Sequence, residues 1–144
     1  MKSSEILLNK IIDFEGCKLT AYKCPAGVWT IGVGHTKGVK QGQTITEKQA
    51  MSLLKGDLLP CETYVNNLGV CKTQGQFDAL VDFSFNLGTA ALGRSTLLKY
   101  IRQGKPEQYI REEFAKWVNS KGMRLKGLVI RRQWEADRYF GKQS

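Results

Sequence analysis

The texture of the chain changes twice, and this constrains the fold more than any other feature. Residues 4–14 carry apolar side chains at Ile6, Leu7, Ile11, Ile12 and Phe14, close to helical spacing, behind a Ser3/Ser4 cap. Gly16 then stops the helix. From about 17 to 45 the helical period disappears, and Gly27, Gly32, Gly34, Gly38 and Gly42 punctuate short β-prone runs such as Val28-Trp29-Thr30-Ile31. After that, helix signals continue almost to the end. The expected class is α+β and helix-dominant: a small antiparallel β lobe at about 17–45 and a larger helical lobe of 1–16 and 46–144, with a cleft between them.

The helical part divides at its punctuation. Thr46-x-x-Gln49 reads as a capping box opening a helix with apolar positions at Ala50, Leu53, Leu54, Leu58, Cys61, Val65 and Leu68. Pro60 is expected to bend or split it, because proline removes a donor and crowds the preceding turn. Gln76 to Leu87 is apolar on nearly every face, the mark of a helix surrounded by others. Further helices are expected around 94–103, ended by Gly104, around 106–118, opened by Pro106, and from about 127 to 140.

Composition excludes some function classes. At 144 residues, 42% hydrophobic and 24% charged, the chain is long enough to bury a core and shows no sign of disorder. No window is apolar over the length needed to cross a bilayer, and the N-terminus has no secretory pattern, so stable membrane insertion is not expected. The formal charge of +9 attracts polyanions, whether nucleic acid, anionic lipid or wall polymer. Residues from 121 onward concentrate it in Lys121, Arg124, Lys126, Arg131, Arg132, Arg138 and Lys142, against Glu135 and Asp137. No helix-turn-helix, zinc-finger or RNA-binding motif accompanies the charge, so nucleic acid is not an expected partner. Cys17, Cys24, Cys61 and Cys71 lack paired spacing and stand with a single histidine, which predicts free thiols in a reducing compartment and no metal. Cys61 and Cys71 are a pair that an oxidising compartment could join.

The chemistry-bearing stretch runs from Phe14 to Thr36. Glu15 falls at the end of the first helix, where a carboxyl group can face a groove while apolar neighbours make its charged form costly. That is what a general acid needs at neutral pH. Thr30 offers a hydroxyl that can hold a water. Alternation sets Val28, Thr30 and Gly32 on one face of their strand, where Gly32 leaves room for a bulky ligand, and Trp29, Ile31 and Val33 on the other. Tyr22 is the aromatic best placed to line the groove. Trp29, Trp117 and Trp134 read as core. His35 suits a structural hydrogen bond between sheet and helix. Arg131 and Arg132 are placed either to hold Asp13 or Glu15 or to form a solvated basic face.

Glu15-Gly16, Cys24, Thr30 and Ile31-Gly32-Val33-Gly34-His35 together resemble the pattern of the phage-type lysozymes, the endolysin family that includes the T-even phage enzyme. Thr73-Gln74-x-Gln76-Phe77-Asp78-Ala79-Leu80-Val81, Phe85-Asn86-Leu87-Gly88, Ser95-Thr96-Leu97-Leu98, and Trp117 with Gly127-Leu128-x-x-Arg131-Arg132-x-x-Glu135 resemble family segments in family order. The resemblance covers essentially the whole chain. It implies a single lysozyme-like domain over 1–144, without cofactor, acting as a monomer on bacterial peptidoglycan. It also implies synthesis in the host cytoplasm and release to the wall through a holin pore.

The resemblance makes Glu15 the proton donor to the glycosidic oxygen between N-acetylmuramic acid and N-acetylglucosamine. Thr30 and Cys24 would handle the attacking water, with Tyr22, Gly32 and Gly34 lining the substrate and His35 and Arg131 in support. Most of the family has Asp where this chain has Cys24, although Cys occurs there too. A thiol near an anionic Glu15 is expected to be harder to ionise than usual. Three roles follow for Cys24: a water-binding group or partly ionised base, which is the reading favoured; a nucleophile, which would lead toward retention; or an inert or disulfide-tied residue. The last would leave a non-catalytic peptidoglycan-binding relic, against which the presence of Glu15 and Thr30 argues.

Overall fold

Helix-breaking glycines and side-chain caps set most element boundaries. The computed structural model describes residues 1–142. The chain forms two compact units, Glu5–Pro60, and Met1–Ser4 together with everything from Cys61 onward.

The first unit opens with α1 (Glu5–Glu15), which buries Leu7, Leu8 and Ile11. Gly16 ends it at φ +75°, its N–H donating to the Ile12 carbonyl at 2.7 Å. A side chain at that left-handed position would be strained, so glycine is what allows the abrupt exit from α1. β1 (Lys18–Lys23) and β2 (Trp29–Gly32) follow as an antiparallel pair, with Tyr22 opposite Thr30 and Lys23 opposite Trp29. Lys18 pairs with Gly32 beyond an irregularity in the register. Single bridges from Thr20 to Thr44 and from Ile31 to His35 carry the β region across the stretch expected for it.

β2 departs from the expected alternation. Thr30, Ile31 and Gly32 are all buried, because Gly32 leaves strand geometry at φ +65°. A Cβ placed on Gly32 would lie 3.4 Å from Ile45 Cδ1 and 3.5 Å from Ala50 Cβ. Those are ordinary contact distances, so the chain itself borders the space expected beside Gly32.

α2 (Glu47–Leu68) begins at a complete capping box: the Thr46 N–H donates to Gln49 Oε1 at 2.8 Å and the Gln49 N–H to Thr46 Oγ1 at 3.1 Å. It runs through Pro60 without a break, contrary to expectation. The residue four positions earlier is Gly56; both lie on the exposed side, where water can satisfy the freed carbonyl. Ala50, Leu54 and Leu58 form the buried stripe in this unit, and Cys61 and Val65 continue it in the next.

In the second unit the hydroxyls of Ser3 and Ser4 donate to the carboxylates of Glu62 and Asp78. α3 (Gln74–Leu87) is capped by Thr73, whose side chain accepts from the Gln76 N–H, and it is buried from Phe77 to Ser84. A short helix not expected from the sequence, α4 (Thr89–Arg94), precedes the one expected near 94–103, which is α5 (Thr96–Gln103). Ser95 separates them in extended conformation and caps α5 by accepting from the Leu98 N–H at 3.0 Å. Gly104 closes α5 in the left-handed region, as expected. α6 (Glu107–Ala115) stops short of its expected end, since the chain then forms a small hairpin of β3 (Asn119–Ser120) and β4 (Met123–Arg124). α7 (Lys126–Tyr139) closes the unit and packs against α3. Phe83 lies at the centre of this core, edge-on to Phe114 at 6.1 Å and to Trp117 at 5.4 Å. Trp134 and Tyr139 are buried, as is expected of a core tryptophan at 134, whereas Trp29 is half-exposed beneath Lys23 Nζ.

Candidate active site

The turn between β1 and β2 builds the most distinctive local chemistry. The Cys24 N–H donates to the Val28 carbonyl at 3.0 Å and the Gly27 N–H to the Cys24 carbonyl at 2.8 Å. This tight turn aims the N–H groups of Val28 and Ala26 at the Cys24 sulfur. Together with the Thr30 hydroxyl, they outweigh a smaller desolvation effect and lower the thiol below its ordinary value. The expected rise caused by a neighbouring Glu15 charge does not occur; hydrogen bonds to the sulfur decide the direction. Cys24 is partly exposed, so solvent reaches it.

Thr30 sits in the adjoining strand, opposite Tyr22. It is only 3% exposed, and its hydroxyl donates to the Val28 carbonyl at 3.0 Å. Its single hydrogen serves either that carbonyl or the Cys24 sulfur. Tyr22 is half-exposed beside Thr30, with Lys18 Nζ 5.2 Å from its ring centroid.

Glu15 stands at the last position of α1 and is exposed, so the expected enclosure by apolar neighbours is missing. A Cβ on Gly34 would lie 4.0 Å from Glu15 Oε2, which sets the carboxylate beside the turn that follows β2. That turn is closed by reciprocal backbone bonds between Ile31 and His35 at 2.9 and 3.0 Å. His35 then ties it to α2, its Nδ1 2.8 Å from Asp57 Oδ2 and its Nε2 2.9 Å from the Lys37 carbonyl. This is the sheet-to-helix link expected of His35. Asp57 carried no signal of its own in the sequence.

Arg131 and Arg132 do not form a solvated basic face. They are 4% and 1% exposed, because α7 turns them inward. Arg131 grips Asp82 of α3 with two bonds of 2.9 and 2.7 Å. Arg132 pairs with Glu135 at 2.8 Å and donates to Asn86 Oδ1 at 2.8 Å. Burial would raise Asp82, but hydrogen bonds from Glu135 and Arg131 and the nearby guanidinium charges hold it below its usual value. Burial, then the hydrogen bond and charge of Asp82, drive Glu135 well above its usual value against the pull of both arginines. The two buried carboxyl groups thus push each other's titrations apart, Asp82 downward and Glu135 upward. The clue in the sequence was Asp78 and Asp82 inside an otherwise apolar helix.

Among the described residues no cluster of His, Cys, Asp or Glu could hold a metal, all four cysteines are free, and no helix is long and apolar enough to cross a membrane.

A helix ending in Glu15, an antiparallel hairpin carrying Cys24 and Thr30, and a second unit of helices make up the fold, and its likeness to known endolysins and muramidases places the chain in the lysozyme class of glycoside hydrolase. The muramidase domain of SpmX from Asticaccaulis excentricus is similar at a TM-score of 0.86 and 36% identity, over 96% of this chain and 97% of that one. Residues 12–135 match the phage lysozyme family, and the chain belongs to it. Relatives include an endolysin of Acyrthosiphon pisum secondary endosymbiont phage 1, 41% identical over 94% of this chain and 95% of its own length. An endolysin of Bacillus phage PZA is also 41% identical over 94% of the chain, but the match spans only 54% of that longer protein.

Proposed function

We propose that this chain is an endolysin whose single domain, residues 1–144, hydrolyses the β-1,4 bonds between N-acetylmuramic acid and N-acetylglucosamine in peptidoglycan. Glu15 gives its proton to the glycosidic oxygen as the bond to C1 breaks. Water attacks C1 from the opposite face, and its proton passes to the Cys24 thiolate. Solvent exchange then returns a proton to Glu15 and removes one from Cys24. The product is inverted at C1. The observation that carries this reading is the tight turn that seats Cys24 beside Thr30 where most of the family has a carboxylate, its thiol lowered chiefly by the backbone N–H groups of Val28 and Ala26.

Thr30 supports the same step. When its hydroxyl turns from the Val28 carbonyl to the sulfur it stabilises the thiolate, and in the other rotamer its oxygen accepts from water. Gly34 keeps a side chain away from the Glu15 carboxylate, leaving a sugar room to approach. Tyr22 lines the sugar from the adjacent strand. Because Glu15 is exposed, the bound glycan itself supplies the dry surroundings that a general acid requires. Arg131 supports the fold through Asp82. The enzyme acts as a monomer made in the host cytoplasm and released through a holin pore.

The test is clearing of outer-membrane-permeabilised cells together with NMR of the first-formed anomer. Glu15→Gln should lower the rate by about 10²–10⁴-fold, Cys24→Ser should slow it, and the wild-type product should be inverted. A retained product would make Cys24 a nucleophile. Binding of peptidoglycan without cleavage by the wild-type chain would instead identify a relic of the fold.

A further inference from the structure

A cavity of about 270 Å³ opens between α6, the β3–β4 hairpin and α7. Arg111, Arg124, Arg132 and Gln133 contribute its polar groups, Val118 and Ala136 are among its apolar walls, and no carboxylate lines it. We infer that this cavity is a binding site for one oxyanion, a phosphate or a carboxylate carried on an anionic wall polymer.

The three arginines are not equally committed. Arg111 is shared between Glu107 and Asp137, at 2.7 and 2.8 Å. Arg124 is exposed on β4, and among the described residues it has no ion-pair or side-chain hydrogen-bond partner. Arg132 is 1% exposed, and burial together with Asp82 raises its ion-pair partner Glu135 above the usual carboxyl value, which weakens that partner's claim on the guanidinium. A buried guanidinium facing a concave wall attracts an anion strongly, because the apolar lining weakens screening. Arginine forks suit planar carboxylate and tetrahedral phosphate oxygens alike. The volume lies just below the roughly 300–1,000 Å³ of pockets that enclose whole small molecules, which fits a single charged group at the edge of a larger polymer. The basic C-terminal segment, which takes no part in the cleavage chemistry, gains a specific function from this site.

The test is a titration of the full chain with inorganic phosphate and, separately, with glutarate. Side-chain N–H signals of Arg124, Arg132 and Gln133 are followed by NMR against sodium chloride at matched ionic strength. Saturable shifts at these groups with phosphate, glutarate or both are expected; phosphate alone would point to a phosphate-bearing polymer and glutarate alone to the acidic groups of peptide stems. Arg124→Gln, on the exposed hairpin, should weaken binding at least fivefold. Ala115→Glu, which sets a carboxylate on the exposed rim, should abolish it. No shift beyond the chloride control with either probe, or unchanged affinity in either variant, would overturn the proposal. The readout is binding rather than lysis, so its failure leaves the cleavage reading untouched.

Discussion

Glu135→Gln isolates the buried proton. Glu135 is fully buried and lies well above its usual value, while its partner Asp82 lies below. In the unfolded chain a glutamate ionises above about pH 4.3. From there upward, folding takes up one proton, until Glu135 itself ionises in the folded protein. The stabilisation is complete below the unfolded value and is lost as pH rises through the folded one. Within that window unfolding free energy should fall by about 1.4 kcal/mol per pH unit from this group alone. Glutamine cannot titrate and so removes that slope. Urea unfolding of both proteins at half-unit steps from pH 5 to 7 should therefore show the variant gaining on wild type as pH rises, for as long as Glu135 keeps its proton in the folded protein. Asp82 faces Glu135 and changes with it, whereas groups remote from this pair are common to both proteins and cancel in the difference. Two parallel pH profiles would refute the assignment of the proton to Glu135.

The lowered Cys24 thiol supplies more thiolate at a given pH than Cys71, which burial pushes up to about 11. Iodoacetamide at pH 7.5, with modified peptides quantified by mass spectrometry, should label Cys24 well before Cys71; equal rates would contradict the donor arrangement around the sulfur. Gly32→Ala places a Cβ on a left-handed backbone at φ +65°, so it should destabilise the chain by about 1–2 kcal/mol. A melting temperature indistinguishable from wild type would refute the left-handed strain assigned to this position.

The readable part of this protein was its short-range part. The Thr46/Gln49 box, the exit at Gly16, the left-handed Gly104 and the β texture from 17 to 45 each depend on neighbours a few positions away, so sequence alone determined them. The positions of Glu15, Cys24 and Thr30 were legible for a different reason, since they form a spaced pattern carried by the family. What sequence misjudged was the energetic setting of those residues. Glu15 is exposed, and Cys24 is lowered because a turn points N–H groups at its sulfur. Gly32 lies within contact distance of Ile45 and Ala50. Arg131 and Arg132 could be read either as carboxylate-holding or as surface charge, because arginine is rarely buried unless paired. Their burial required partners such as Asp82, 49 residues from Arg131, which no local period could reveal. Backbone conformation follows largely from neighbouring residues, whereas the charge state of a side chain depends on everything folded around it, and only the tertiary structure decides that.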